Sequence, residues 1–240
     1  MTVYQRQQKI MNYMKEEQFS TVKDLAKLVY ASESSIRRDI KALESAGYVK
    51  QTYGGIVLAD RGEDVVPIRL RDSANSAIKD QLAKIAASYI KDGDTIFMDG
   101  SSTVRRIAKH LGNFKNLKII TNNVGILQEC KNDNVKIYCT SGLYLPKSNI
   151  CIGPSAEQFI KHIHADTVFF SSQAISLDGM ISDSSEEESS LRRVMLNNAT
   201  TKIFLCDSSK LGKKRTFRLC DRKEVDRIIC DAELPWESTK

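Results

Sequence analysis

The segment Ser32-Glu-Ser-Ser-Ile-Arg-Arg-Asp-Ile-Lys-Ala-Leu-Glu-Ser-Ala-Gly47 constrains this chain more than any other. At the helical repeat, Ile36, Ile40 and Leu43 fall within about 60° of one another. Ser34, Arg37, Arg38 and Lys41 gather on the far side, within about 100° of arc. Ser32 suits the N-cap, where a hydroxyl accepts an orphan backbone N–H. Gly47 suits the stop, because glycine takes a left-handed turn without strain. Such a helix docks its apolar stripe on a small core and presents guanidiniums, an ammonium and hydroxyls. Arginine reads guanine edges in the major groove, while serine and lysine hold phosphates.

The flanking sequence completes a winged helix-turn-helix. Val22, Leu25, Ala26 and Val29 give a second amphipathic helix, opened by Thr21 with Asp24 in a capping-box spacing. Only Tyr30-Ala31 separate it from Ser32, the tight spacing that sets a second helix in the major groove. A first helix is expected over residues 3–17, with Ile10 and Met14 on one face. Residues 48–53, Gly54-Gly55 and 56–58 read as strand, turn and strand. The expected DNA contacts are Thr21, Ser32, Ser34, Ser35, Arg37, Arg38, Lys41, Lys50 and Tyr53.

These residues resemble the signature of the DeoR-type bacterial transcription regulators. That pattern runs Ser-x-x-Thr-Ile-Arg-Arg-Asp-Leu and continues into an Arg-x-His-Gly-Gly-Ala wing. The helix matches closely. The wing departs, with Gln51 for Arg, Tyr53 for His and Ile56 for Ala.

The chain has 240 residues, enough for two domains. Residues 1–58 carry nine Lys and Arg against six Asp and Glu, so the basic excess is concentrated there. No apolar run reaches the roughly 18 residues needed to span a bilayer, and no leader pattern opens the chain, so a cytoplasmic protein is expected. Six cysteines without Cys-x-x-Cys spacing point to reduced thiols. The three histidines form no metal motif, and no metal or cofactor is implied.

A charged stretch carrying Gly62 and Pro67 marks a linker at residues 59–72, leaving 73–240 as a larger domain. There, Ile78, Leu82, Ile85 and Tyr89 mark a helix. Short apolar strands at 95–98, 117–120, 135–139, 166–170, 202–206 and 226–230 alternate with helices, including 185–198. This predicts an α/β fold with a mostly parallel sheet covered on both faces. In such sheets ligands sit outside the carboxyl ends of the strands. Asp99-Gly-Ser-Ser-Thr103, Thr121-Asn122, Ser141-Gly142 and Asp207-Ser-Ser-Lys210 fall at those ends. Each alone is explained by helix capping; four together favour a shared pocket for an anionic ligand.

Residues 73–231 also resemble the DeoR-type sensor domain, which is related in fold to ribose-5-phosphate isomerases. The resemblance implies a phosphorylated sugar or related metabolite as effector. It carries over Asp99, Ser102, Thr103, Thr121, Asn122, Gly142, Asp178, Gly179, Glu188, Asp207 and Lys210. Ser101 and Ser141 stand where the family has glycines, as does Ala174, and Arg192 replaces a lysine. Each lost glycine is expected to close positive-φ backbone or close approach to a ligand. The function implied is a regulator, most often a repressor, that binds a double-stranded DNA operator as a homodimer or higher oligomer and controls carbohydrate genes. The competing readings are a sugar-phosphate isomerase-like enzyme with an accessory domain, and a DNA binder whose sensor is silent.

Overall fold

The computed structural model describes residues 1–17, 19–46, 48–52, 55–58 and 68–236. Gly47, Tyr53, Gly54 and the first nine linker residues lie outside them. The chain divides into two compact units, Met1–Gly62 and Glu63–Lys240.

The first unit contains α1 (Val3–Glu17), β1 (Phe19–Ser20), α2 (Val22–Leu28), α3 (Glu33–Ser45), β2 (Val49–Thr52) and β3 (Gly55–Leu58). The hairpin β2–β3 is joined by β1, a two-residue strand too short to leave a sequence signal, which pairs antiparallel with β3. Ile10, Met14, Leu25, Val29, Ile36, Ile40, Leu43, Val49 and Ile56 form one core. The three helices and the hairpin therefore share a single apolar centre, as the periodicity of α2 and α3 requires.

The second unit opens with α4 (Ile68–Ser73), so the last linker positions are helical rather than extended. Ile68 is buried, and its N–H donates to the Lys147 carbonyl. Next come α5 (Ser76–Ala87), β4 (Thr95–Met98), α6 (Ser102–Arg105), β5 (Leu117–Thr121), α7 (Val124–Glu129), β6 (Val135–Cys139), β7 (Leu143–Leu145) and β8 (Ile150–Ile152). The unit closes with α8 (Pro154–Lys161), β9 (Ala165–Phe170), β10 (Ala174–Ile175), β11 (Met180–Asp183), α9 (Glu186–Asn197), β12 (Ala199–Cys206), β13 (Phe217–Asp221) and β14 (Arg227–Cys230). The helix expected near Val104–Leu111 is split, because α6 passes into a 3-10 turn at Arg106–His110. On α5 the buried stripe is Leu82, Ala83, Ala86 and Ala87. Ile85 and Tyr89, expected inside, are partly exposed.

Six strands form one sheet in the order β14-β12-β9-β4-β5-β6, with every neighbour parallel. Apolar side chains alternate across it. Ile96, Met98, Phe169, Ile203 and Leu205 face a core shared with α5, α6 and α7. Phe97, Val168, Phe170 and Phe204 face a core shared with α8 and α9. The Phe170 and Phe204 rings stand 5.1 Å apart at a tilt of 42°, an arrangement that adds about 0.5–1.5 kcal/mol beyond area burial.

The chain winds outward from β4 through β5 to β6, then returns to the other side of β4 at β9. The order therefore reverses between β4 and β9. In open α/β sheets such a reversal is where a crevice for ligands forms outside the carboxyl ends of the strands. The residue that leaves β4 into it is Asp99.

Candidate functional site

The candidate face for nucleic acid is built by α3. Ser32 caps it: its Oγ accepts from the Ser35 N–H at 3.3 Å and lies 3.0 Å from the hydroxyls of Ser34 and Ser35. Ile36, Ile40 and Leu43 are buried, while Ser34, Arg37, Arg38 and Lys41 are exposed. Thr21 caps α2 by accepting the Asp24 N–H at 3.1 Å. Its hydroxyl also donates to the Asp24 carboxylate at 2.6 Å, so that carboxylate is engaged by a side chain. Lys50 is exposed on β2. Tyr53 lies outside the described residues.

Two features of this unit carry no periodic signal. Asp39 sits within the apolar stripe of α3 and is 2 % exposed. It accepts from both Arg6 and Gln7 of α1, tying the first helix to the third. Gln51, which replaces the family's wing arginine, bonds Glu44 through its backbone N–H at 2.8 Å and through its side-chain amide. The departure thus keeps a link between wing and recognition helix, and the Glu44 carboxyl is held below its usual range by those two bonds.

The candidate sensor site centres on Asp99, which is fully buried. Its Oδ1 accepts the Ser101 N–H at 3.0 Å. Its Oδ2 accepts the Ser171 N–H at 3.1 Å and Arg192 Nε at 2.7 Å. Arg192, on α9, also donates to Asp183 and Glu188 at 2.8 Å each. Three buried carboxylates therefore share one guanidinium. Burial opposes the charge on Arg192, but Asp183, Asp99 and Glu188 together outweigh it and raise its pKa. The planar fork makes one bond to each carboxylate from three different nitrogens.

Cations lie on the other side of the crevice. Lys210 Nζ donates to Ser171 Oγ at 2.8 Å and faces Asp207 at 3.6 Å. Burial raises the Asp207 pKa, yet Lys210, the Ser209 hydroxyl and Lys79 outweigh it and leave it below the usual carboxylate range. Lys79 of α5 is 4 % exposed and donates to Ser102 Oγ at 3.2 Å and to the Arg71 carbonyl. Burial first, and then the charge of Lys210, lower its pKa to about 8. The helical spacing of Ile78, Leu82, Ile85 and Tyr89 carries no signal for it.

The remaining expected residues are placed as follows. Thr121 donates to the Met98 carbonyl at 2.7 Å, locking the ends of β4 and β5 together. Asn122 donates to the Cys151 carbonyl at 3.1 Å. Asn122 Oδ1 and Thr103 Oγ1 are buried without a hydrogen-bond partner among the described residues. Each orphan costs about 1–3 kcal/mol, which a hydroxylated ligand would offset. Ser141 and Gly142 line a cavity of about 690 Å³ together with Leu143, Ile152, Ser184 and Ser185. Its Ser184–Ser185 wall directly follows Asp183, and Glu188 stands three residues after Ser185. Gly142 has φ +120, and a Cβ there would fall 2.3 Å from the Ile152 carbonyl oxygen, so this position does need glycine. Asp178 and Gly179 lie instead on the turn between β10 and β11. There Asp178 is bound by Ser176 and Lys214, and its side chain is 69 % exposed.

The substituted glycines do not strain the backbone. Ser101 has φ −76 and ψ 150, an ordinary extended conformation, and caps α6 by accepting the Val104 N–H at 3.2 Å. Ser141 and Ala174 are not among the positive-φ residues. The backbone half of the expectation, a closed positive-φ conformation, therefore has no counterpart at these three positions.

Comparison with known proteins agrees with both units. The DeoR-like helix-turn-helix domain matches residues 6–61, and the DeoR C terminal sensor domain matches residues 74–232. An uncharacterized HTH-type transcriptional regulator of Bacillus subtilis, YulB, is 31% identical over 100% of this chain and 93% of its own length. The HTH-type transcriptional regulator GolR of Listeria innocua is 30% identical over 96% of this chain and 91% of its own. The transcriptional repressor AccR of Agrobacterium fabrum is 31% identical over 95% and 89%. Among solved structures, a D-ribose-5-phosphate isomerase in complex with phospho-erythronic acid aligns at TM-score 0.43 and 15% identity, over 57% of this chain and 54% of that one. No helix among the described residues is long and apolar enough to cross a membrane. The chain belongs to the DeoR family of DNA-binding transcriptional regulators, which are not enzymes.

Proposed function

We propose that this regulator represses a carbohydrate-utilisation operon and that a phosphorylated sugar or related metabolite sets its operator affinity. The observation that carries the reading is the buried Lys79, held with Ser102 on the crevice that also holds Asp99 and Lys210. Ammonium groups beside hydroxyls suit a phosphate, while carboxylates and the free Asn122 oxygen suit sugar hydroxyls. Repression is carried over from the Agrobacterium relative, whose name states it.

In this reading residues 1–58 bind the operator through Ser34, Ser35, Arg37, Arg38 and Lys41, with Thr21, Ser32, Lys50 and Tyr53 on the backbone. Residues 59–72 connect, and 73–240 sense and oligomerise in the cytoplasm. A two-fold pair of chains presents two recognition helices to spaced half-sites. The effector differentially stabilises one of two DNA-binding populations.

The test is thermal stability against a panel of phosphorylated sugars and sugar alcohols at millimolar concentration. A ligand at 100 times its Kd adds about 2.7 kcal/mol. A hit lost in Lys79→Met supports the reading; a silent panel, or a hit indifferent to Lys79 and Lys210, opposes it.

A further inference from the structure

Strands β12 and β14 end on two cysteines that face each other. Cys206 and Cys230 are register partners on these adjacent parallel strands, and each is the last residue of its strand. Partners in a parallel pair carry their side chains on one face, with backbones about 4.8 Å apart. That spacing lies within the Cα separations a disulfide spans. The backbone that must yield to close the remaining gap is a pair of strand ends rather than a strand interior.

The two thiols are unequal. Cys206 is fully buried and Cys230 half-buried. The Cys206 thiol donates to the Asp207 carbonyl at 3.4 Å, and the Cys230 thiol lies 3.9 Å from Asp231 Oδ1. The neighbouring Cys206 thiol lowers Cys230 to about 7 against the opposing effects of burial and the Asp231 charge, while Cys230 and burial together raise Cys206. One sulfur is thus a nucleophile at neutral pH, and its neighbour is a protonated reserve.

We propose that Cys230 is a peroxide-reactive thiol which, once oxidised, is resolved by Cys206 into a disulfide that joins β12 to β14. The Cys230 thiolate attacks one oxygen of a hydroperoxide. An S–O bond forms, the O–O bond breaks, and the leaving oxyanion takes a proton. The Cys206 sulfur then attacks the sulfenic Cys230 sulfur. An S–S bond forms, the S–O bond breaks, and water departs with the Cys206 proton. Two thiols and one hydroperoxide give one disulfide, one water and one alcohol, or a second water when the oxidant is hydrogen peroxide.

The bond would act on the sensor loops. Cys206 is followed by Asp207, which accepts from Asn75 at 3.1 Å and faces Lys210. Cys230 is followed by Asp231, which accepts the Ser208 N–H at 2.6 Å and its hydroxyl at 2.9 Å. Drawing the two strand ends together displaces the segment that holds Lys210 against Ser171. This consequence for effector binding rests on the proposed function; the oxidation itself does not.

The experiment treats the reduced full-length chain with hydrogen peroxide and maps peptides by mass spectrometry without reduction. The expected product joins the Cys206 and Cys230 peptides with the loss of two hydrogens. Cys230→Ser abolishes it, and Cys206→Ser accumulates a sulfenic acid at Cys230 that dimedone traps. Where Cys206→Ser fails to fold, wild-type mapping and Cys230→Ser decide alone. First oxidation at Cys139 or Cys151, or exhaustion of peroxide with residues 206 and 230 unlinked, overturns the proposal. Hydrogen exchange over residues 207–211 is expected to change on oxidation, and unaltered exchange there overturns the link to the sensor site.

Discussion

Arg192 Nε donates to Asp99 Oδ2 at 2.7 Å, joining the helix α9 to the residue that leaves β4 at the reversal of strand order. The same guanidinium neutralises only one of the three carboxylate charges around it. The site is therefore a buried anionic cluster that depends on a single cation. Replacing that cation strands charge, whereas the pair itself contributes little net stability over an apolar equivalent.

Arg192→Met is expected to lower unfolding stability by about 3–5 kcal/mol near neutral pH, read from the urea midpoint. Arg192→Lys keeps the charge but not the fork, and should cost less than Arg192→Met. Equal deficits in the two variants would show that lost packing, not stranded charge, dominates.

Burial holds the Lys79 pKa at about 8 in the folded chain, below its ordinary value of 10.5. The unfolded chain binds more protons between those two values, so stability rises with pH across that window, and the penalty is fully present below it. The rise amounts to roughly 3 kcal/mol at most. Lys79→Met should flatten the stability profile between pH 8 and 10. A phosphate-bearing ligand needs the protonated ammonium, so its affinity should fall as pH climbs through about 8. Calorimetric titration at pH 7.5 and 9 with any ligand found by thermal shift checks this, and an affinity unchanged between them rejects a phosphate contact from Lys79.

The six parallel strands were legible because each is a short apolar run between turn signals, and the central strands β4, β9 and β12 are buried along most of their length. The hydroxyl-rich strand ends were legible for the same topological reason. Lys79 and Asp39 were not, since a charged residue on a helix reads as solvated unless its distant partners are known. Those partners, Ser102 and Arg6, come from other elements. The short pairings of β10, β11 and β13 are equally non-local and escaped the sequence reading. Ser101 misled for another reason: a family glycine does not imply positive φ at that position.

Within the DNA-binding unit, stability and recognition should separate by residue. Asp39 is buried against Arg6 and Gln7, so Asp39→Ala is expected to destabilise the unit by about 2–4 kcal/mol and to weaken DNA binding only through unfolding. Arg37 is exposed, and its contact with Glu33 at 3.8 Å is a surface pair of little worth. Arg37→Ala and Arg38→Ala should leave the melting temperature within a degree or two while weakening operator binding. Loss of a guanine contact costs about 1–3 kcal/mol and relaxes specificity at one base. Loss of a phosphate contact instead lowers the salt slope by roughly one. DNA affinity unchanged in both arginine variants would remove α3 from the interface.

The turn before α3 stores strain that serves no visible packing. Tyr30 has φ +51 and is 92 % exposed. It ends α2 as a left-handed residue: its own N–H reaches the Lys27 carbonyl, and the Ala31 N–H reaches back to Ala26 at 3.0 Å. That bonding closes a helix in the Schellman manner, where glycine is the usual occupant. A tyrosine there crowds its Cβ against the following carbonyl, at about 1–2 kcal/mol. Among the described residues, the visible return is the Lys9 ammonium 5.9 Å from its ring, a weak exposed contact. Tyr30→Gly should therefore raise the stability of the unit by about 1 kcal/mol, after the extra unfolded-state entropy of glycine is subtracted. A urea titration of the full chain, following the first unit's transition, measures it. A gain in stability with a loss of operator affinity would mean that the exposed ring contacts DNA and that the strain is retained for that contact.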